Sequence, residues 1–242
     1  MNNNHQFPVL MYHKVTGNND ADFLTITQED LERQFSYIVE EGYTTISIAE
    51  LCNYHYHQHP LPNKPLLLTF DDGYADNYYN LFPILKKYAL KATVFLVSAF
   101  VGKQHESDAQ FLDVQQIKEM QTCGVEFGLH SFDHRSYKKL SVEESGTDLQ
   151  QCIDGLKQQG ILFELALAYP FGAYPKKNIF KRMRFFKELR KRELKFGFRI
   201  GNRINQLPLK NPFLVQRIDV RGDESFEMFK KNLRHGRKKS IF

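Results

Sequence analysis

Short apolar runs alternate along the chain with stretches whose apolar residues have helical spacing. The run LLLTF at 66–70 follows a Pro-containing loop and stops on Asp71, Asp72 and Gly73. Because this run is short and lies between loop-forming residues, it is typical of a buried parallel strand rather than a helix. Further apolar runs predict strands at 7–12, 43–46, 92–97, 125–129, 163–168, 196–200 and 214–218.

Residues that favour helix starts precede the amphipathic stretches. Thr27, Ser47, Asp113 and Ser141 each stand at a predicted N-cap, and Ser141 forms a capping box with Glu144. The predicted helices cover 28–41, 48–57, 78–88, 114–123, 142–158, 177–195 and 224–233. Strands that alternate with helices indicate an α/β fold with a parallel sheet, either a closed barrel or an open sheet.

The length of 242 residues suits one α/β domain, and no stretch has the composition of a linker. We therefore expect a single domain over 1–242 with a basic tail at 230–242. No apolar run is long enough to cross a bilayer. The first six residues lack the basic start and apolar core of a secretory signal, and the three cysteines form no Cys-x-x-Cys pair. These features predict a cytoplasmic protein.

The formal net charge of +5 is unevenly distributed. Eleven Lys or Arg and two Glu lie between Lys176 and Arg199, and six more Lys or Arg lie between Lys230 and Lys239. A basic surface on an otherwise acidic body indicates an anionic partner, although a solvated helix face would give the same pattern.

The predicted helix 177–195 carries Ile179, Met183, Phe186 and Leu189 on about one face. This spacing favours packing against the core over insertion into a membrane. Together with the basic charge, it motivates the hypothesis of peripheral contact with an anionic membrane surface at the inner membrane face. No nucleic acid partner is expected, because the chain has no recognisable nucleic-acid-binding module or stacking platform.

Chemically reactive side chains follow several predicted strands at their carboxyl ends. In chain order they are His13, Asp71, Asp72, His130, His134 and the turn 169–172. In barrels and in open parallel sheets, the carboxyl ends of the strands meet at one edge, where active sites lie. The sequence therefore predicts that these residues form one site.

Two adjacent carboxylates repel each other, so Asp71 and Asp72 are expected to have different roles. His130 and His134 are four residues apart, and on a helical turn both imidazoles would face one way and share a cation. With Asp72 as third ligand, this set leaves positions open for water and substrate. Asp71 would then be free to take a proton from water.

Hydrolysis of an amide needs two further groups. A backbone N–H in the turn 169–172 can stabilise an oxyanion, and Phe171 is the candidate because Pro170 has no N–H. An amine leaving group needs a proton, and His13 at the end of the first strand is available to donate one. These residues indicate a metal-assisted hydrolase.

The same segments resemble the motifs of a known family, the polysaccharide deacetylases of carbohydrate esterase family 4, which contain the NodB-homology domain. TFDDG at 69–73 resembles the first motif, HSFDH at 130–134 the second, and YPFG at 169–172 part of the third. The resemblance extends over about 9–218. It implies a deformed (β/α) barrel of about seven or eight parallel strands.

The resemblance also implies a function and residue roles. The enzyme would remove N-acetyl groups from sugars of a bacterial-type polysaccharide or lipid-linked glycan. It would use a divalent ion, Zn by preference, with Co, Ni or Mn as alternatives. By this resemblance Asp71 is the base, Asp72, His130 and His134 are the metal ligands, and the N–H of Phe171 is the oxyanion donor.

The chain departs from the family pattern at the third motif. That motif usually begins with an Arg that holds the catalytic Asp, but this position is Ala168. Arg217, at a later strand end, is the candidate substitute. Tyr169, Pro170 and Arg217 are also expected to take part in substrate binding.

The second departure concerns the acid. The family's Leu-x-His motif is not found on a C-terminal strand, because LRH at 233–235 lies in a polar, basic segment. LMYH at 10–13 instead resembles the N-terminal strand of the poly-N-acetylglucosamine deacetylases, in which the acid-bearing strand is permuted to the front. His13 is therefore the candidate acid. A catalytically silent carbohydrate-binding relative and a hydrolase of another small amide are the alternative functions.

Overall fold

Seven parallel strands form a closed barrel in this computed structural model, which describes residues 6–104 and 109–237. The strands are β1 Val9–Tyr12, β2 Pro65–Phe70, β3 Thr93–Leu96, β4 Glu126–Leu129, β5 Ala166–Ala168, β6 Phe196–Ile200 and β7 Val215–Asp219. They neighbour one another in chain order, and β1 closes the ring by pairing with both β2 and β7. The predicted parallel barrel is confirmed. The run at 43–46 contributes only Thr44–Thr45, which pairs with the start of β2 beside the ring.

Both faces of the barrel strands are buried, which explains their continuous apolar sequences. All six residues of β2 are buried. Leu67 belongs to a core inside the barrel with Phe95 and Phe198, whereas Leu68 packs in the larger core under the helices. This alternation decides which side chain of each strand points into the barrel.

The helices that surround the barrel are α1 Gln28–Glu40, α2 Ile48–His57, α3 Phe82–Tyr88, α4 Val114–Thr122, α5 Val142–Gln158, α6 Ile179–Lys191 and α7 Phe226–His235. The side chains of Thr27, Ser47, Asp113 and Ser141 accept the backbone N–H bonds that cap four of them, as predicted. The stretch 78–88 is divided into a π-helical turn, Asn77–Leu81, and α3.

The helix predicted at 177–195 is shorter than expected, because Asn178 caps it and α6 ends at Lys191. Of the four residues predicted to face the core, two do so. Phe186 and Leu189 are buried, but the side chain of Ile179 is 48% exposed and that of Met183 is 61% exposed. Phe185 occupies the core instead, because the buried face lies toward the C-terminal half of the helix.

The connection between β6 and β7 contains no α-helix. It folds back as Asn205–Gln206, which pairs with Gln6–Phe7, and as a 3-10 turn at Pro212–Leu214. The outer face of β6 and β7 is therefore left without a covering helix from this connection.

The predicted basic tail at 230–242 begins inside α7, and residues 238–242 lie outside the described part of the chain. In the segments 6–104 and 109–237, no helix combines the length and the apolar character that a membrane span requires.

Candidate active site

The carboxyl ends of the barrel strands bring the predicted site residues together. Asp71 and Asp72 follow β2, His130 follows β4, and Arg217 lies in the middle of β7. All four side chains are buried, and Arg217 is fully so. Buried charges are costly unless they are paired or bind an ion. The positive and negative groups of this cluster must therefore neutralise one another or a bound ion.

Three side-chain atoms converge beside β2. The Oδ1 atom of Asp72 lies 3.3 Å from Nε2 of His130 and 3.2 Å from Nε2 of His134. This buried oxygen accepts no hydrogen bond from any described residue. One oxygen and two nitrogens, all within 4.8 Å of one another, form a set of ligand atoms suited to a divalent cation.

The orientation of His130 leaves one ring nitrogen free. Its Nδ1 atom lies 2.8 Å from the backbone carbonyl oxygen of Ala168. Because a carbonyl oxygen only accepts, Nδ1 carries a proton, and Nε2 is the ring nitrogen that faces Asp72. A ligand histidine whose second nitrogen donates to a carbonyl is the usual arrangement at protein metal sites.

The charges of the cluster fix its protonation. Burial alone would raise the pKa of Asp72, but His130 and His134 lower it well below the ordinary value for a carboxyl group. Burial lowers the pKa of His130, while Asp71 and Asp72 raise it by more. Asp72 is therefore ionised at neutral pH, and a cation at His130 has to compete with a proton.

Asp71 is held by a different partner. Nη1 and Nη2 of Arg217 donate to Oδ1 and Oδ2 of Asp71, each over 2.6 Å. Burial would raise the pKa of Asp71, but the Arg217 guanidinium and His130 lower it below its ordinary value. Nη1 of Arg217 also lies 3.4 Å from the hydroxyl of Thr69. Arg217 thus makes the contact expected of the Arg that Ala168 replaces.

The loop after β4 is not the helical turn that the spacing of His130 and His134 suggested. Ser131 and His134 have left-handed backbone conformations, with φ of 72° and 64°, and Asp72 has φ of 73°. Such values cost energy for residues other than Gly and cluster at functional sites. The two imidazoles therefore converge because of the left-handed backbone at Ser131 and His134, and not because they share one face of a helix.

Asp148 supports this loop and was missed from the sequence. Its side chain is fully buried, accepts a 2.5 Å hydrogen bond from the Tyr137 hydroxyl, and lies 3.4 Å from the backbone N–H of Phe132. Burial raises its pKa to about 6. The available signal was a carboxylate on the apolar stripe of α5, between Ser145 and Cys152.

Replacing Asp148 with Ala is expected to weaken Zn²⁺ binding about 10- to 100-fold, because the loop that carries both imidazoles loses its anchor. The measurement is competition with a chromophoric chelator. Asp154→Ala on the exposed face of the same helix is the matched control and should bind Zn²⁺ like the parent protein. Equal affinities in the two variants would mean that Asp148 does not position the loop.

The turn after β5 differs from expectation in two residues. The Tyr169 side chain is fully buried and donates to the backbone carbonyl of Phe213 over 2.9 Å, so it is not available to a substrate. Pro170 is buried as well. Phe171, with φ of 59°, is 64% exposed, and its ring centroid lies 4.6 Å from that of His134. Phe171 is thus the residue of this turn that faces the site.

His13 directly follows β1 at the same edge of the barrel and is partly buried. Burial lowers its pKa, and the charges of Asp71 and Asp72 oppose this shift. Its backbone carbonyl accepts a 3.0 Å hydrogen bond from the Asn77 amide. The structure therefore brings His13 to the site from the first strand.

Tyr74 forms a wall of the site that the motifs did not reveal. Its ring stacks on Phe111 at a centroid distance of 5.1 Å, and the ammonium of Lys14 lies 4.7 Å from its centroid. Burial, with a smaller contribution from Asp72, raises the pKa of its hydroxyl. Tyr74 therefore stays protonated beside Asp72 at any physiological pH.

Comparisons with known proteins agree with this architecture. The family model described as polysaccharide deacetylase matches residues 58–185, more than half of the chain. YxkH of Bacillus subtilis strain 168 is 28% identical over 177 residues, which are 72% of this chain and 60% of that protein. The poly-beta-1,6-N-acetyl-D-glucosamine N-deacetylase of Escherichia coli K12 is 33% identical over 108 residues, 44% of this chain but 16% of its own length. The chain thus spans less than two thirds of either curated relative.

A solved structure covers nearly the whole fold. The Streptococcus pyogenes deacetylase PplD, in complex with acetate, superposes with a TM-score of 0.77 at 25% identity, over 95% of this chain and 99% of that one. The likeness includes strands outside the range of the family match, so the barrel as a whole is shared. The chain therefore belongs to the polysaccharide deacetylases, the carbohydrate esterases of family 4.

Proposed function

We propose that this protein is a metal-dependent N-deacetylase of glycans that contain N-acetylated sugars, of the poly-N-acetylglucosamine type. The observation that carries the proposal is the convergence of Asp72, His130 and His134 on one point, with Asp71 held beside it by Arg217. The name of the Escherichia coli relative supports the substrate class. The resemblance of the motifs supports the reaction.

The residues present fit a divalent cation. No described residue donates a hydrogen bond to Asp72 Oδ1, and the neighbouring Nε2 atoms of His130 and His134 are positioned to bind the same cation. Two imidazoles and one carboxylate accept Zn²⁺ and also Co²⁺, Ni²⁺ or Mn²⁺, and we propose Zn²⁺. When bound, the cation would polarise the amide carbonyl and lower the pKa of water.

Asp71 takes the proton of the attacking water. Its lowered pKa keeps it ionised at neutral pH, and both of its oxygens are fixed by Arg217. As the water oxygen bonds to the carbonyl carbon of the N-acetyl group, its proton moves to Asp71. The rigid ion pair holds the base in one orientation, which is how a positioned carboxylate contributes to rate.

Phe171 and His13 complete the reaction. The backbone N–H of Phe171 donates to the oxyanion as it develops. His13 gives a proton to the nitrogen as the C–N bond breaks, and acetate and a free amine leave. Burial lowers the pKa of His13, which makes its protonated form a stronger acid and also reduces the share of molecules that carry this proton at neutral pH.

The experiment is acetate release from a chemically defined N-acetylglucosamine oligomer. We expect turnover by the protein as purified, its loss on treatment with a chelator, and its recovery with Zn²⁺, Co²⁺, Ni²⁺ or Mn²⁺. Oligomer binding without acetate release under any of these ions would contradict the proposal and favour a silent carbohydrate-binding relative. Release from simple amides but not from sugars would favour a hydrolase of another small amide.

We also propose that the start of α6 contacts an anionic membrane surface, with the protein cytoplasmic and acting on a lipid-linked glycan at the inner membrane face. Ile179, Phe180 and Met183 are exposed there beside Lys181 and Arg182. Exposed apolar residues among cations are typical of surfaces that bind a bilayer interface.

Co-sedimentation of the protein with lipid vesicles should increase with the share of anionic lipid, and Phe180→Ser should reduce this co-sedimentation. Sedimentation that is independent of anionic lipid would contradict the proposal.

A further inference from the structure

A cavity of about 1230 Å³ lies on the outer face of β6 and β7, where their connection provides no helix. Its cationic lining residues are Lys176, Arg199, Arg203, Arg234 and Arg237. No Asp or Glu is among the described residues that line it. A concave surface lined by one sign of charge concentrates ions of the opposite sign.

Two of these cations are already neutralised. Arg234 pairs with Glu41 over 2.8 Å, and Arg237 pairs with Glu224 over 2.6 Å. Lys176, Arg199 and Arg203 have no carboxylate within ion-pair distance in the described part of the chain. Three cations in one cavity are thus left for an external anion.

Arg199 gives the clearest sign of a missing partner. Its Nη2 donates to the side-chain oxygen of Gln216 over 3.0 Å, which fixes the guanidinium against β7. Its Nε is buried and donates to no described residue. A buried, unsatisfied N–H on a positioned guanidinium is costly and is normally balanced by an acceptor.

Backbone contacts connect one wall of the cavity to the candidate active site. Ile200, in its wall, lies so close to Gly172 that a Cβ at residue 172 would be 2.6 Å from Ile200 N. The N–H of Asn202, in the same wall, donates to the carbonyl of Arg217 over 2.9 Å. One wall therefore contacts both the turn of Phe171 and the residue that holds Asp71.

We propose that this cavity binds a phosphate group carried by the glycan substrate, several bonds away from the N-acetyl group that is hydrolysed. This rests on the proposed function and adds a second, anionic recognition element to it. Phosphate carries close to two negative charges and three acceptor oxygens, which matches a set of two guanidinium groups and one ammonium. A flat bilayer surface does not enter a cavity of this shape.

The test measures binding of pyrophosphate and glucose 1-phosphate by calorimetry, with glucose and glucuronate as uncharged and carboxylate counterparts. None of these probes contains an N-acetyl group, so the result does not depend on deacetylase activity. We expect the two phosphates to bind more tightly than glucuronate, and glucose not to bind.

The variant Arg199→Gln/Arg203→Gln should weaken phosphate binding by at least about tenfold, because each lost charge-assisted hydrogen bond accounts for about that factor. Lys118→Gln/Lys157→Gln removes two exposed cations from α4 and α5 and is the control, with binding unchanged. Lys176→Gln, at an exposed position, tests the third cation should the double variant fail to fold.

An active-site variant separates the two sites. Asp72→Asn should leave phosphate binding unchanged. Loss of binding in Asp72→Asn but not in the Arg199 and Arg203 variant would overturn the proposal, since the anion would then sit at the metal ligands. Equal weakening in the control would also overturn it, because attraction would be non-specific. Tighter binding of a short RNA than of pyrophosphate would assign the cavity to nucleic acid instead.

Measurements of turnover test whether the cavity binds the substrate of the proposed reaction. With an N-acetylglucosamine oligomer that carries a terminal phosphate, the double variant should raise KM about tenfold with kcat unchanged, because a remote contact contributes to binding alone. An unchanged KM with weakened pyrophosphate binding would mean that the cavity binds phosphate but not that of the substrate, and would overturn the link. Absence of acetate release from any oligomer by the parent protein, with phosphate binding intact, would contradict only the proposed function.

Discussion

Replacing Asp71 with Asn is expected to lower kcat for acetate release about 10³-fold, within the range that general base catalysis contributes. Asn has the same shape but does not accept the proton of the attacking water. Asp72, His130 and His134 are unchanged, so Zn²⁺ affinity should stay within about threefold of the parent value. The measurements are initial rates with a defined oligomer and Zn²⁺ binding by chelator competition.

The control for this variant is Asp154→Asn, which removes an exposed carboxylate from α5 and should leave kcat unaltered. Asp72→Asn gives the opposite pattern, with Zn²⁺ affinity lost together with activity. A variant of Asp71 that retains its rate would refute the assignment of Asp71 as base. One that loses Zn²⁺ as completely as Asp72→Asn would instead place Asp71 among the ligands.

Replacing Arg217 with Met should destabilise the protein by about 3–5 kcal/mol, the usual cost of removing one partner of a buried ion pair. The Asp71 carboxylate would be left buried with its charge unbalanced. The double variant Asp71→Asn/Arg217→Met should recover part of this loss, because neither charge then remains. Urea unfolding of the four proteins, analysed as a double-mutant cycle, gives the coupling between the two side chains.

The contribution of Arg217 to the free energy of unfolding should also depend on pH. The pKa of Asp71 is lower in the folded protein than the value of about 3.9 in an unfolded chain. The ion pair therefore contributes its full stabilisation of the fold above about pH 5. This stabilisation is lost as the pH falls below about 4 and through the pKa that Asp71 has in the folded protein. The difference in unfolding free energy between the parent and Arg217→Met should shrink as the pH is lowered. A difference that is constant from pH 7 to pH 3 would contradict the ion-pair account.

The apolar runs and the motifs predicted much of the fold and site because both depend on local sequence. Strands buried on both faces are recognisable from a run such as 66–70, and their carboxyl ends identify Asp71, Asp72 and His130. The convergence of Asp72 with the two imidazoles followed from that placement. The convergence of these side chains is now observed, while their role in holding a cation stays a prediction.

What the sequence left open depends on contacts between distant segments. Arg217 was named from its strand position as the candidate partner of Asp71, but the two residues are 146 apart, and their contact became visible only with the closed barrel. The burial of Tyr169 depends on a carbonyl at Phe213, 44 residues away, so a motif position alone did not exclude substrate contact. The loop after β4 was interpreted from spacing, but the backbone reversals at Ser131 and His134 have no local sequence signature such as Gly.

Barrel closure by β1 has a consequence for the synthesis of this protein. A nascent chain contains Asp71 long before Arg217 leaves the ribosome, so the carboxylate proposed as the base lacks its Arg217 partner while β7 is missing. At that stage β1 also has an open edge, which is prone to pairing with other chains. The candidate site is therefore complete only once β7 has paired with β6 and β1 and has supplied the guanidinium.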